Sequence, residues 1–63
     1  MTIKQAVEFY AQSSCKREIK TPGGFVYEFE GNKVFSAKNC ENGWLIQRFR
    51  ADGKICFNRF LVI

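Results

Sequence analysis

Four turn signals cut the chain beyond residue 20 into short apolar segments, and this punctuation constrains the fold more than any other feature. Thr21-Pro22-Gly23-Gly24 has Pro at the second and Gly at the third position, the pattern of a type II turn. Gly31-Asn32 reads as a two-residue hairpin loop that sets Glu30 opposite Lys33. Asn39 to Gly43 is a polar loop ending in Asn-Gly, and Ala51-Asp52-Gly53 closes a last hairpin. Between these points the segments alternate as strands do. Phe25, Tyr27 and Phe29 share one face of the segment after the first turn. Lys33 to Lys38, Trp44 to Arg50 and Lys54 to Ile63 supply the following strands, and Arg17 to Thr21 is a short strand that pairs into the first hairpin.

The N-terminal segment has a different period. Thr2 and Gln5 have capping-box spacing. Ile3, Ala6, Val7, Tyr10 and Ser14 form one helical stripe, with Phe9 at its edge. The spacing predicts a helix from about Ile3 to Cys15, with Lys4 and Glu8 as an i,i+4 pair on its outer side. The expected fold is therefore α+β: one domain over residues 1–63, an N-terminal helix packed on a four- or five-stranded antiparallel meander.

The register of the last hairpin decides which residues face outward. A three-residue loop with Gly53 left-handed groups Leu45, Phe49, Ile55, Phe57 and Leu61 on one face. A two-residue Asp-Gly loop instead groups Leu45 and Phe49 with Cys56, Phe60 and Val62. Both registers send Trp44, Ile46, Arg48 and Arg50 to the face opposite Phe49. The three-residue loop gives the fuller apolar face, which makes Phe49 a core residue. The outer face then carries Trp44, Arg48, Arg50, Lys54, Asn58 and Phe60. The run Phe60-Leu61-Val62-Ile63 is apolar on both faces. It calls for a place inside the sheet or a second chain beside it, which keeps a homodimer through the C-terminal strand open.

The chemistry of the chain points away from catalysis. It contains no histidine, the commonest general base near neutral pH. Glu28 and Glu30 share a strand face, but a solvated pair with Lys33 nearby accounts for them. Gly23-Gly24 precedes a strand rather than a helix, so it is no phosphate-binding loop. Cys15, Cys40 and Cys56 lack the close pairing a zinc site needs. Cys15 and Cys56 read as small buried hydrophobes, and Cys40, among polar neighbours, as the exposed thiol. No enzyme, metal or cofactor is expected. The absence of a long apolar run or a signal-peptide pattern leaves a cytoplasmic chain with no membrane contact as the expectation.

The net charge of +4 is unevenly spread. Residues 1–31 hold equal numbers of cations and anions. The surplus lies in residues 32–63, where Lys33, Lys38, Arg48, Arg50, Lys54 and Arg59 outnumber Glu41 and Asp52. Guanidinium groups beside aromatic rings on a sheet suit nucleic acid, the rings stacking on bases and the cations meeting phosphates. Trp44, Arg48, Arg50, Lys54 and Phe60 are accordingly the expected binding residues. The same residue types serve as anchors in protein interfaces. The alternative is thus a regulator or inhibitor that binds an acidic protein surface, such as that of a nucleic-acid-handling enzyme.

Overall fold

The computed structural model describes residues 1–62. It consists of helix α1 (Ile3–Ala11) followed by strands β1 (Arg17–Thr21), β2 (Gly24–Phe29), β3 (Lys33–Cys40), β4 (Gly43–Phe49) and β5 (Ile55–Val62). The strands form one antiparallel sheet in the order β1-β2-β3-β4-β5, the expected α+β meander with five strands. Ile63 lies outside the described residues.

The capping box closes the start of α1 as the sequence implies. The Gln5 N–H donates to Thr2 Oγ1 at 3.1 Å, and the Thr2 N–H donates to Gln5 Oε1 at 2.8 Å. The helix stops earlier than its stripe suggests. Gln12 turns left-handed (φ 56°, ψ 39°), and Glu8 leaves its expected pairing with Lys4 to accept the Cys15 N–H at 2.8 Å. The Lys16 N–H then donates to Glu28 O at 2.8 Å and starts the sheet. These local bonds offer the Ser13-Ser14 backbone an alternative to a further helical turn.

Three of the turns depart in detail from expectation. Gly23 keeps a negative φ, so the Pro22-Gly23 turn is not type II. Phe29 pairs with Lys33 across a three-residue turn, Glu30–Asn32, in which Gly31 and Asn32 have positive φ. Glu30 is therefore not opposite Lys33, whose Nζ instead donates to Ala11 O at the helix end at 3.4 Å. The Asn39–Gly43 loop shrinks to a two-residue turn, because β3 runs on to Cys40 and Cys40 pairs with Gly43.

The last hairpin has the expected three-residue loop. The Arg50 N–H donates to Lys54 O at 2.8 Å, and Gly53 is left-handed at φ 86°. One pair further on, Phe49 faces Ile55 but Arg48 faces Phe57. Cys56 is the extra residue of a β-bulge, and beyond it the whole of β5 changes phase. Phe57 and Leu61 consequently join Arg48 and Trp44, their ladder partners, on the same side of the sheet.

That side is the one α1 covers, which reverses the expected facing of the hairpin. Tyr27, Phe35, Ala37 and Ile46 are at most 2% exposed beneath Ala6, Val7 and Ala11. Phe25, Tyr10, Trp44, Phe57 and Leu61 pack around them. The physical reason is register. Tyr27 pairs with Phe35, and Ala37 pairs with Ile46, so the aromatic face of β2 and β3 selects the Trp44–Ile46–Arg48 face of β4. Phe49 is only half-buried and lies on the side without a helix. The cysteines are corrected with it. Cys56 in its edge-strand bulge is the exposed thiol, while Cys15 and Cys40 are half-buried.

Candidate nucleic-acid interface

The expected binding residues divide over the sheet. Trp44 and Arg48 point to the helix side. Phe60 pairs with Leu45 on the other side, so it does not share a face with them. Arg50 and Lys54 flank the hairpin loop, where Arg50 Nη2 donates to Asp52 Oδ2 at 3.2 Å and the Lys54 N–H donates to Asp52 Oδ1 at 3.0 Å. The basic and aromatic outer face drawn from the hairpin alone is therefore not formed.

A different basic and aromatic surface is formed, on the flank where α1 meets β4 and β5. Val7 and Ala6 dock the helix on the sheet and leave Phe9, at the margin of the stripe, 71% exposed. The Phe9 ring sits edge-on to Tyr10 with centroids 5.6 Å apart, and Tyr10 lies 5.4 Å from Phe57. Phe57 in turn meets the buried Phe35 at 6.1 Å. This row of rings runs from solvent into the core. The Arg48 guanidinium lies over Phe35 at 5.9 Å, a spacing at which the ring's quadrupole attracts the cation. Arg48 Nε is buried there with no hydrogen-bond partner.

Beside these rings a groove runs between α1 and β5. One lobe of about 350 Å³ is bounded by Met1, Ile3, Ala6, Trp44 and Leu61. A second lobe of about 200 Å³ shares Met1, Ala6 and Leu61 with the first and adds Phe9 and Tyr10. Trp44, half-buried and 6.1 Å from Phe25, forms the far wall. The bulge at Cys56 is what creates this groove, since it turns Phe57, Arg59 and Leu61 to the helix side. Arg59 pairs with Ile46 and stands exposed on the rim between Phe57 and Leu61.

The groove thus has aromatic and apolar walls, with Arg59 exposed on the helix side of β5, Arg48 half-buried over Phe35, and Arg50 and Lys54 beyond them at the hairpin loop. Chemically it offers flat π-faces beside guanidinium donors. Reading the hairpin by itself missed Phe9, Tyr10, Phe57 and Arg59. Phe9 was marked only by its place at the edge of the helical stripe, and Phe57 and Arg59 by a phase that the bulge alters. Among the described residues no three His, Cys, Asp or Glu side chains gather as a metal site, and no helix is long and apolar enough to cross a membrane. No protein-family model matches the chain, and neither a curated protein nor a solved structure matches it.

Proposed function

We propose that the chain is a non-enzymatic binding module that takes single-stranded nucleic acid in the groove between α1 and β5. The observation that carries this reading is the exposed Phe9 ring, continuous with Tyr10 and Phe57, where Phe57 has Arg48 as its ladder partner and the exposed Arg59 two residues further along β5. Rings on which bases stack, next to cations that follow the backbone, are the two components of sequence-tolerant single-strand binding. A duplex keeps its base faces stacked inside, so it offers the rings nothing. The groove therefore favours unpaired strands.

Fluorescence anisotropy of a labelled single-stranded oligonucleotide, titrated at low and moderate salt, tests the proposal, with Trp44 emission as an internal reporter. Binding should weaken as salt rises, and Arg59→Ala should flatten the salt dependence by about one released counterion. Phe9→Ala should cost about 1–3 kcal/mol, the range for losing one base–aromatic stack. Binding that survives Phe9→Ala and Arg59→Ala together, or equal affinity for duplex, overturns the proposal.

A further inference from the structure

Three cations of the sheet have a carboxylate or a carbonyl of their own chain beside them. Arg17 lies 4.0 Å from Glu28, Arg50 Nη2 donates to Asp52 Oδ2 at 3.2 Å, and Lys33 Nζ donates to Ala11 O at 3.4 Å. Among the described residues neither Arg48 nor Arg59 has an ion pair. Arg48 is the more constrained of the two. It is half-buried, its guanidinium lies over the Phe35 ring, and its Nε is buried without a hydrogen-bond partner. Its ladder partners are Phe35 on one side and Phe57 on the other. A ring face attracts the positive charge but supplies no oxygen to its N–H groups, and a guanidinium does not shed its proton. The fold therefore holds a planar, charged donor in place, partly stripped of water, with no acceptor supplied.

Arg59 lies on the same side of the sheet. Arg48 pairs with Phe57 and Ile46 pairs with Arg59, so the two arginines are diagonal neighbours on adjacent strands. Such positions are about 7–8 Å apart at the backbone, within reach of long side chains. Like charges at this spacing, with no carboxylate between them, repel each other until an anion sits between them. We infer that Arg48 and Arg59 together seat a phosphate group on the helix side of the sheet, beside Phe57. That this phosphate belongs to a nucleic-acid strand rests on the function proposed above, since Phe57 leads through Tyr10 to the exposed Phe9.

The shape of the oxyanion favours phosphate over carboxylate. A carboxylate presents two coplanar oxygens, which a single guanidinium fork satisfies. Two guanidinium groups reaching in from different strands call for oxygens on more than one side, and a tetrahedral phosphate has them. Arg48, held against its ring, is the part of the seat formed in advance, and the exposed Arg59 completes it. A donor fixed before binding lowers the ordering cost of taking the ligand.

Arginine Nε–H signals of the isotope-labelled full chain, followed by NMR during titration with inorganic phosphate, test the seat without any strand. Sodium chloride at matched ionic strength is the reference. The Arg48 and Arg59 signals should shift and saturate with phosphate. Arg48→Lys keeps the charge but loses the planar fork, so it should weaken phosphate binding, read at Arg59, by about tenfold. Circular dichroism checks that the variant folds; if it does not, Arg59→Lys, at an exposed position and read at Arg48, replaces it. No saturable shift beyond that of chloride, or unchanged affinity in the folded lysine variant, overturns the inference. Oligonucleotides with and without a terminal phosphate then compete with inorganic phosphate. Displacement by the phosphorylated strand alone supports a terminal phosphate in the seat, and displacement by both supports an internal phosphodiester. Saturable phosphate binding that neither strand displaces upholds the seat and overturns the nucleic-acid reading instead.

Discussion

Replacing Ile46 and Phe49 separately by alanine tests which side of the sheet forms the core. Ile46 is fully buried between the helix and Ala37. Isoleucine-to-alanine truncation at such a site loses transfer free energy and leaves a cavity, about 2–5 kcal/mol in all. A domain of this size has roughly 3–9 kcal/mol of total stability, so Ile46→Ala removes a large share of it. Phe49 is half-exposed on the helix-free side. Full burial of a phenylalanine is worth about 1.5–3 kcal/mol, so truncation there should cost roughly 1 kcal/mol in the monomer. Urea denaturation followed by far-ultraviolet circular dichroism separates the two. With a slope near 1 kcal/mol per molar urea, Ile46→Ala should lower the midpoint by about 2 M or more and Phe49→Ala by about 1 M. A Phe49→Ala loss equal to or greater than that of Ile46→Ala would refute the placement of the helix.

Two further outcomes follow from single side chains. Burial, and then the Glu18 carboxylate opposite it in the ladder, push the Tyr27 phenol well above its ordinary value of 10.0. The neutral phenol is favoured in the folded state, so stability is intact below pH 10 and falls as pH rises above it. Tyr27→Phe should remove that part of the alkaline loss in denaturation curves taken on both sides of pH 10; an unchanged alkaline slope counts against it. Cys56 is the exposed thiol, while the Cys15 and Cys40 thiols donate to Arg17 O and Lys38 O at 3.1 and 3.7 Å. A chromogenic disulfide reagent should modify one thiol rapidly and two slowly, and Cys56→Ser should abolish the fast phase.

Much of this architecture is legible locally. The Thr2–Gln5 cap, the Phe25–Tyr27–Phe29 face and the Gly53 loop each depend on residues within one or two turns, and each forms as its residue types require. The helix end does not read the same way, because Glu8 and Gln12 act through bonds to the following loop. The facing of β4 is set at a distance, by the pairing of Ala37 with Ile46. Cys56 carries no compositional mark of a bulge, yet it reverses every side chain after it. The candidate groove inherits that difficulty. Trp44 and Arg48 are recognisable as one face of a strand, but Phe9, Tyr10, Phe57 and Arg59 join them only once β5 has changed phase and the helix has docked.

Because each strand pairs with its neighbour in sequence, the sheet can zip together hairpin by hairpin, closing only loops of a few residues at small entropic cost. The remote step is docking of the helix. Tyr10 must find Phe57 across almost the whole chain, and only then does the groove exist. Folding should consequently be quick for a β-rich chain, with ladder formation preceding assembly of the groove. Damage to the helix would abolish the groove's aromatic wall before local hairpin pairing is lost, so loss of the groove and loss of the sheet are separable events along the unfolding path.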